Sequence, residues 1–357
     1  MAQDKKYLSA SRIKTLKGCS WKYYCSYVLK LPDEGNSGAD RGTTCHAVLE
    51  CLTNKRHLKH LKIIAKKQTI TASKAVERMV CKYLNKFGLL NDPDEDHFEL
   101  CDQMILVGIN EDFLGKGGTH PIAETDFKLE SQDPEYRMIG FIDKTVFYKK
   151  GTEAIITDYK TSKRKFEGED LHNNVQAKSY VLAAKKIWPK LKKVKVKFLF
   201  LKFPDDPEIV MEFSEQELQE FESKLPKFFN QINNFDYTEA ISNFAIDQGY
   251  PSKEEGFCKN LQCGRAERPG QLKKDGSKMW HCSYKFPFEY FVVKDKQGNF
   301  VKSYLDTDPL KQLSEEYSVS VMKYLGCPRF KKDEFIDEEG DDEEGDDEEK
   351  DLDEFLD

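Results

Sequence analysis

Several features that mark other protein classes are absent from this 357-residue chain. It contains no apolar run of about 18 residues, so no membrane-spanning helix is expected. Its first residues are polar and lack the apolar core of a secretory signal peptide, which predicts a cytoplasmic, reducing location. It also lacks the Gly-x-x-x-x-Gly-Lys loop that holds nucleotide phosphates, so we do not expect a helicase motor.

Negative charge is concentrated at the C-terminus. The whole chain has a formal net charge of −7, but residues 333–357 contain 17 acidic residues and one lysine, which leaves residues 1–332 with a net charge of +9. A segment this acidic cannot bury an apolar core, and residues 331–357 are therefore predicted to be a disordered acidic tail. The tail either keeps the protein soluble or mimics nucleic acid, by folding over a basic surface or by docking on a basic partner.

Two short motifs predict a pair of acidic side chains at one edge of a β-sheet. Gly140-Phe141-Ile142-Asp143 ends one apolar run and Asp158-Tyr159-Lys160 ends the next, with a turn at 149–152 between them. Pairing of these strands would bring Asp143 and Asp158 together, and Lys160 would share a face with Asp158 because side chains alternate along a strand. Two carboxylates and an ammonium group suit metal-assisted hydrolysis of a phosphodiester, although a solvated charge cluster at the strand ends is the simpler alternative.

The surrounding motifs resemble those of the RecB-type branch of the PD-(D/E)XK nuclease superfamily. Six elements follow the order of that branch over about residues 7–50 and 120–182: Ser9-Ala10-Ser11-Arg12-Ile13, Cys19 to Tyr24, Gly42 to His46, Gly140 to Asp143, Asp158 to Lys160, and Gln176 to Tyr180. The resemblance implies an α/β fold in which helices flank a central mixed sheet, with a helical N-terminal part. One nuclease domain with elaborations would then span residues 1–330.

The resemblance also implies roles for individual residues. His46, Asp143, Asp158 and the backbone carbonyl of Tyr159 would bind Mg²⁺ or Mn²⁺, and Lys160 would be the catalytic lysine. A histidine ligand favours Mn²⁺, since imidazole is a borderline ligand. The residues expected beside them are Glu124, Gln176 and Tyr180, the last two on one face of a helix. Each of these residues also has a simpler interpretation. His46 could be a helix histidine bonded to a backbone carbonyl, and Glu124, Gln176 and Tyr180 could be solvated surface residues.

Ten cysteines in a reducing compartment favour metal binding or buried free thiols over disulfides. Three of them lie in a polar, basic segment at 255–285, where apolar packing explains them poorly. The resemblance implies that Cys19, Cys258, Cys263 and Cys282 hold a [4Fe–4S] iron–sulfur cluster. Because 18 residues separate Cys263 from Cys282, a wider spacing than the family usually has, zinc or no metal stays open. Cys25 is the alternative ligand.

A DNA substrate follows from the same resemblance. The residues expected to bind phosphates or stack on bases are Arg12, Lys14, Lys17, Trp21, Lys22 and Tyr23. For Trp21 and Tyr23, packing in the core is an equal alternative. The Gln-x-x-x-Tyr subgroup commonly acts on single-stranded ends, so an exonuclease is expected before a flap or branch endonuclease. A non-catalytic DNA-binding scaffold is the rival interpretation.

The size of the chain and its lack of motor motifs suggest the process in which it acts. A small protein without motor motifs suits a phage-type factor in DNA replication, recombination or repair, acting in the host cytosol. The acidic tip at 351–357 carries apolar side chains and resembles the tips by which single-stranded-DNA-binding proteins recruit replication partners. The tail is therefore a candidate site for protein partners.

Apolar periodicity and turn residues predict the secondary structure. Helices are expected over residues 1–50 except for a loop at 32–40, and over 59–88, 99–114, 169–187 and 215–230, where Pro226 is expected to kink or end the last one. Strands are expected at 123–129, 138–147, 154–158, 194–201, 208–213 and 286–293. A final helix is predicted at 309–324.

Overall fold

A computed structural model describes residues 6–248, 262–314 and 316–330 of the chain. Cys258 and the predicted acidic tail lie outside the described residues. Before the first strand the chain is helical, as expected, with α1 (Ala10–Gly18), α2 (Ser20–Tyr23), α3 (Ser37–Thr53), α4 (Leu58–Lys67), α5 (Lys74–Lys86) and α6 (His97–Asn110). A π-helical turn, Tyr24–Val28, continues α2. The predicted loop at 32–40 is shorter than expected, because the Asn36 side chain caps α3 by accepting from the Ala39 amide.

The central sheet has five strands in the order β1-β2-β3-β4-β5. They are β1 (Ile122–Gln132), β2 (Glu135–Tyr148), β3 (Glu153–Lys160), β4 (Lys193–Phe200) and β5 (Glu208–Met211). β3 and β4 are parallel, whereas the other neighbouring strands are antiparallel. The parallel pair is connected through α7 (Glu169–His172) and α8 (Val175–Ile187), because parallel strands require a crossover rather than a tight turn. The predicted mixed sheet flanked by helices is thus confirmed.

Two apolar cores pack against this sheet. One contains residues of α1, α2, α8 and α9 (Glu215–Asn233) together with sheet residues such as Ile156 and Phe198. The other contains residues of α3 to α6 together with Tyr159 and Leu199. Since β3 contributes to both cores, its C-terminal end is held between helical layers on either side, and that end carries Asp158 and Lys160.

Two helix predictions need adjustment near the sheet. The helix predicted at 169–187 is divided, because Asn174 caps α8 through a hydrogen bond from the Ala177 amide. In contrast, α9 runs through Pro226 to Asn233. Its start is fixed by a capping box in which Ser214 and Glu217 satisfy each other's backbone amides. A short helix, α10 (Tyr237–Ala240), follows.

The C-terminal part forms a second, three-stranded antiparallel sheet in the order β7-β6-β8. Its strands are β6 (Phe288–Lys294), β7 (Phe300–Tyr304) and β8 (Ser318–Tyr324). The helix predicted at 309–324 is therefore wrong: only Asp308–Gln312 is helical, as a 3₁₀ turn. The alternation Ser318-Val319-Ser320-Val321 has the period of a strand, and β-branched residues favour extended backbone there.

Candidate active site

Asp143 and Asp158 lie opposite each other where β2 and β3 meet. The register pairs Lys144 with Thr157, so the next positions along the two antiparallel strands are Asp143 and Asp158. The backbone amide of Tyr159 donates a 2.8 Å hydrogen bond to Asp143 Oδ2. The structure thus brings together the two aspartates that the sequence placed at one sheet edge.

Lys160 and α8 enclose the side chain of Asp158. The Lys160 Nζ lies 2.5 Å from Asp158 Oδ2 and donates a 2.8 Å hydrogen bond to Gln176 Oε1. On the other carboxylate oxygen, Asp158 Oδ1 accepts from Gln176 Nε2 at 3.0 Å and from the Tyr180 hydroxyl at 2.7 Å. Gln176 and Tyr180 are also hydrogen-bonded to each other at 2.7 Å, as their spacing of four residues on a helix permits. These four residues form one connected network.

His46 reaches the same site from α3. Its Nδ1 lies 3.4 Å from Asp143 Oδ2, and its ring meets the Tyr159 ring edge-on with centroids 5.9 Å apart. A glycine one turn earlier allows this approach: a Cβ on Gly42 would lie only 2.7 Å from Thr161 Oγ1, just beyond the end of β3. The absence of a side chain at 42 lets α3 pack against the strand end that carries Lys160.

A second pair of acidic residues borders the site. Glu124, on β1, lies close to Glu50, which is one helical turn after His46. The pKa of Glu50 is raised above its usual value. Burial is the main cause, and the neighbouring carboxyl of Glu124 and the charge of Asp143 add to it. Sequence reasoning identified Glu124 but missed Glu50. The i, i+4 spacing from His46 was the available signal.

The electrostatics of the site centre on Asp158, whose side chain is almost completely buried. Burial is the main cause that raises its pKa, and the negative charge of Asp143 adds to this effect, whereas the Lys160 ammonium opposes it. For His46, burial alone would lower the pKa, but the hydrogen bond and charge of Asp143 and the charge of Asp158 outweigh burial and raise it. Each of these groups therefore depends on its neighbours for its charge state.

The carboxylates and the imidazole of the site are chemically suitable ligands for a divalent cation. Asp158 Oδ2 is buried and lies 2.5 Å from the Lys160 ammonium, so a cationic group already compensates the charge of this oxygen. Carboxylate oxygens and an imidazole are ligands that Mg²⁺ and Mn²⁺ accept. As the described side chains stand, no three His, Cys, Asp or Glu residues converge closely enough to hold an ion. The Lys160 ammonium and the backbone amide of Tyr159 contact these carboxylates instead. Binding of an ion would therefore require the acidic side chains and Lys160 to reorient.

The residues predicted to contact DNA fall into two groups. Tyr23 is fully buried and Trp21 is 7% exposed, with the indole donating to the Tyr324 hydroxyl, so core packing is the alternative that the structure supports for both. Lys14, Lys17 and Lys22 are exposed. Arg12 is partly buried, donates to the Tyr7 carbonyl and lies over the Tyr27 ring.

Several thiols lie near one another at the junction of the N-terminal helices and the C-terminal segment, but no three of the described ones are close enough to hold an ion as they stand. Cys19, Cys263, Cys282 and Cys327 line one cavity of about 20 Å³. Burial first, and then neighbouring thiols that include Cys19, raise the pKa of Cys327 to about 12 and that of Cys263 to about 11. Cys25, the suggested alternative ligand, is buried and bonded to the Tyr324 hydroxyl instead. Cys327 had not been singled out, because 44 residues separate it from Cys282 and no short spacing signals it.

Comparison with known proteins identifies the superfamily of the chain. Residues 7–258 match the PD-(D/E)XK nuclease superfamily, and the chain belongs to that superfamily. Among solved structures, a protein from Eubacterium rectale named “Putative exonuclease” is similar with a TM-score of 0.42 and 11% sequence identity, over 64% of this chain and 81% of that one. The curated proteins yield no match. No helix within the described ranges is both long and apolar enough to cross a bilayer.

Proposed function

We propose that the protein is a metal-dependent deoxyribonuclease that hydrolyses DNA from single-stranded ends. The nuclease class follows from the superfamily. The observation that supports this site is the network in which one buried carboxylate, Asp158, is bonded to Lys160, Gln176 and Tyr180. A surface charge cluster would not need an amide and a phenol to hold one carboxylate in place.

The chain's own residues would divide the chemistry as follows. His46, Asp143 and Asp158, with the Tyr159 carbonyl, would hold Mg²⁺ or Mn²⁺, the ions that this superfamily generally uses. When bound, such an ion polarises a phosphoryl oxygen and lowers the pKa of a coordinated water. Lys160 would lie beside the scissile phosphate and offset the charge that develops there. Gln176 and Tyr180 would position Lys160 and Asp158, and Glu124 would border the site with Glu50.

Incubation of the protein with labelled single-stranded DNA and Mg²⁺ or Mn²⁺ tests this assignment. We expect cleavage that a chelator abolishes, and a loss of about 100-fold or more in Asp158→Ala and Lys160→Ala. Lys193→Ala is a matched control, since Lys193, on β4, forms a surface ion pair with Glu212, which directly follows β5. Full activity in both site variants would place the active site elsewhere.

Product lengths decide the mode of cleavage. An exonuclease releases mononucleotides or short products from the first time point and leaves circular single strands intact. A flap or branch endonuclease, the alternative, produces discrete long fragments. A non-catalytic scaffold, the remaining alternative, would bind DNA but release no product with either ion.

We further propose that the clustered thiols bind a metal centre, with Cys327 rather than Cys25 as a partner of Cys19, Cys263 and Cys282. Cys258 lies outside the described residues and stays a candidate ligand. The four thiols line one cavity, and thiolates are ligands of both zinc and a [4Fe–4S] cluster. Iron, acid-labile sulfide and zinc contents of anaerobically purified protein distinguish the two, with Cys327→Ser and Cys81→Ser as the test and control variants.

The acidic tail is proposed to compete with DNA or to bind replication and recombination proteins. Its 17 acidic residues follow a chain segment with net positive charge. Deletion of residues 333–357 should tighten DNA binding at low salt and have little effect at high salt, because salt screens the competing charges. Equal affinity at every salt concentration would leave only the partner-binding or solubilising role.

A further inference from the structure

A second cleft lies beside the thiol cavity, on the side where the loop after β3 leaves the sheet. Its volume is about 710 Å³. Four cationic side chains line it: Lys22 from α2, Arg164 from the loop after β3, and Arg265 and Lys273 from the C-terminal segment. Among the described residues that line the cleft there is no aspartate or glutamate. A cleft lined by cationic side chains without acidic ones favours the binding of a polyanion.

The same cleft contains an exposed tryptophan. Trp280 is 58% exposed, and it stacks on no other aromatic ring of the described residues. The other two tryptophans, Trp21 and Trp188, are packed against aromatic neighbours. A large exposed indole among cations is costly in water and matches the surfaces on which proteins stack unpaired bases.

A hairpin loop closed by two isolated antiparallel bridges forms the side of the cleft that carries Trp280. Residues 264–281 contain five basic and two acidic residues. At the base of the hairpin, Gly264 bridges to His281, and a Cβ on Gly264 would lie 2.3 Å from the Trp280 carbonyl oxygen. Lys285 stabilises the hairpin by donating hydrogen bonds to the carbonyls of Gly264 at 2.9 Å and Ala266 at 2.7 Å. Trp280 is therefore held at a defined place rather than on a free loop.

Arg164 connects the cleft to the candidate active site. It lies four residues after Lys160, in the loop that leaves the end of β3, and its carbonyl accepts a 2.7 Å hydrogen bond from Ser162. The proposed route of a strand bound along the cleft runs from Arg164 along this loop to Lys160. Lys22, one of the residues that the sequence suggested for DNA contact, lines the same cleft.

We propose that this cleft binds a single strand of DNA, with a base stacked on Trp280 and phosphates beside Lys22, Arg164, Arg265 and Lys273. The proposal rests on the nuclease function proposed above and names the path of its substrate. A single strand is favoured over a duplex because an indole stacks on a base only where that base is unpaired, and the cations need no particular sequence.

Binding measured in the presence of a chelator tests the cleft without any cleavage. A fluorescently labelled oligo-dT is titrated with wild-type protein and with Trp280→Ala, Trp280→Phe and the double variant Arg265→Ala/Lys273→Ala. We expect Trp280→Ala to weaken binding about 10-fold and Trp280→Phe to bind nearly as the wild type, since an aromatic face is retained. The double variant should lower the slope of log affinity against log salt by roughly 1.4, or about 0.7 for each cation removed.

Two controls separate the cleft from general surface effects. Phe300→Ala removes a partly exposed ring on β7, and Lys66→Ala removes an exposed cation on α4; neither residue lines the cleft. Both should bind as the wild type. Tryptophan fluorescence gives a second readout: oligo-dT should quench it in the wild type and leave it unchanged in Trp280→Ala.

The outcomes distinguish this proposal from the proposed function. If Trp280→Ala binds with wild-type affinity and the same quenching, the cleft proposal is wrong, whatever the protein cleaves. If blunt duplex DNA or single-stranded RNA displaces the labelled strand as well as unlabelled oligo-dT does, the assignment to single-stranded DNA is wrong. If binding and quenching behave as expected but no divalent ion supports hydrolysis, the nuclease proposal fails while the cleft stands.

Discussion

The side-chain amide of Gln176 bridges Lys160 and Asp158, accepting from the ammonium group at 2.8 Å and donating to the carboxylate at 3.0 Å. Only a group with both an acceptor and a donor can satisfy the two partners at once. Together with the Tyr180 hydroxyl, the bridge fixes the relative orientation of two oppositely charged side chains at the strand end.

Replacement of Gln176 should reduce activity without unfolding the protein. In Gln176→Glu the new carboxylate can still accept from Lys160 but repels Asp158, and in Gln176→Met neither bond remains. We expect cleavage rates to fall by about 10- to 100-fold, with the larger loss in Gln176→Glu. Rates at saturating DNA and urea midpoints measure the two effects. Gln216→Glu, an exposed change on α9, is the control, and equal losses in it would remove the special role of Gln176.

Two buried tyrosines provide a matched pair. The Tyr180 hydroxyl donates to Asp158 Oδ1 at 2.7 Å, whereas the Tyr159 hydroxyl is buried without a hydrogen-bond partner among the described residues. Tyr180→Phe should therefore slow cleavage about 10-fold, while Tyr159→Phe should leave activity unchanged and stabilise the fold slightly, because it removes an unsatisfied polar atom. Both variants are compared by cleavage rate and melting temperature. The reverse order of effects would contradict the geometry.

The contact between α3 and the end of β3 can be altered by one methyl group. In Gly42→Ala the new Cβ would meet Thr161 Oγ1 at 2.7 Å, so α3 must shift and carry His46 with it. We expect reduced cleavage and weaker activation by Mn²⁺. Removal of the obstructing hydroxyl in Gly42→Ala/Thr161→Ala should restore much of the activity, because the remaining contact of that Cβ, with the Cβ of residue 161, lies at an ordinary 3.8 Å. Thr161→Ala alone is the control. A double variant as impaired as Gly42→Ala would mean that the clash is not the cause.

Lys144 makes the stability of the protein depend on pH. It is buried and donates to the Phe113 carbonyl at 3.0 Å. Burial first, and then the nearby charge of Lys197, lower its pKa from 10.5 to about 7. Because the unfolded chain binds the proton more tightly, the folded state is penalised below pH 7, and stability should rise between pH 7 and about 10.

The comparison of wild type with Lys144→Met isolates this contribution. Methionine keeps much of the volume and removes the charge, so Lys144→Met should be more stable than the wild type near neutral pH, by up to a few kcal/mol. The lost hydrogen bond offsets about 1 kcal/mol of that gain. The stability difference should shrink as pH rises toward 10. Urea denaturation at several pH values measures it, with Lys66→Met on the surface as the control. A difference that is constant with pH would show that Lys144 is not the titrating group.

Local signals in the sequence were sufficient for most of the sheet and for the pairing of its two acidic motifs. Gly140 to Asp143 and Asp158 to Lys160 each end an apolar run, and a strand pair with a short turn between them admits few registers. Where the local pattern fits both a helix and a strand, the sequence alone does not decide between them. The apolar spacing of residues 309–324 fits a period near 3.6 as well as a period of 2, and only pairing of β8 with β6 selects the strand for residues 318–324.

What the chain determined by itself is the set of short-range relationships: caps, strand ends, i and i+4 pairs such as Gln176 and Tyr180, and the division between a basic body and an acidic tail. The tertiary structure alone decided which distant residues meet. Glu50 faces Glu124, Cys327 joins Cys19, and Trp280 shares a cleft with Lys22 and Arg164. The physical reason is that such contacts depend on how layers of helices and sheet pack. Packing follows from the total burial of apolar surface and not from any pattern that a short segment carries.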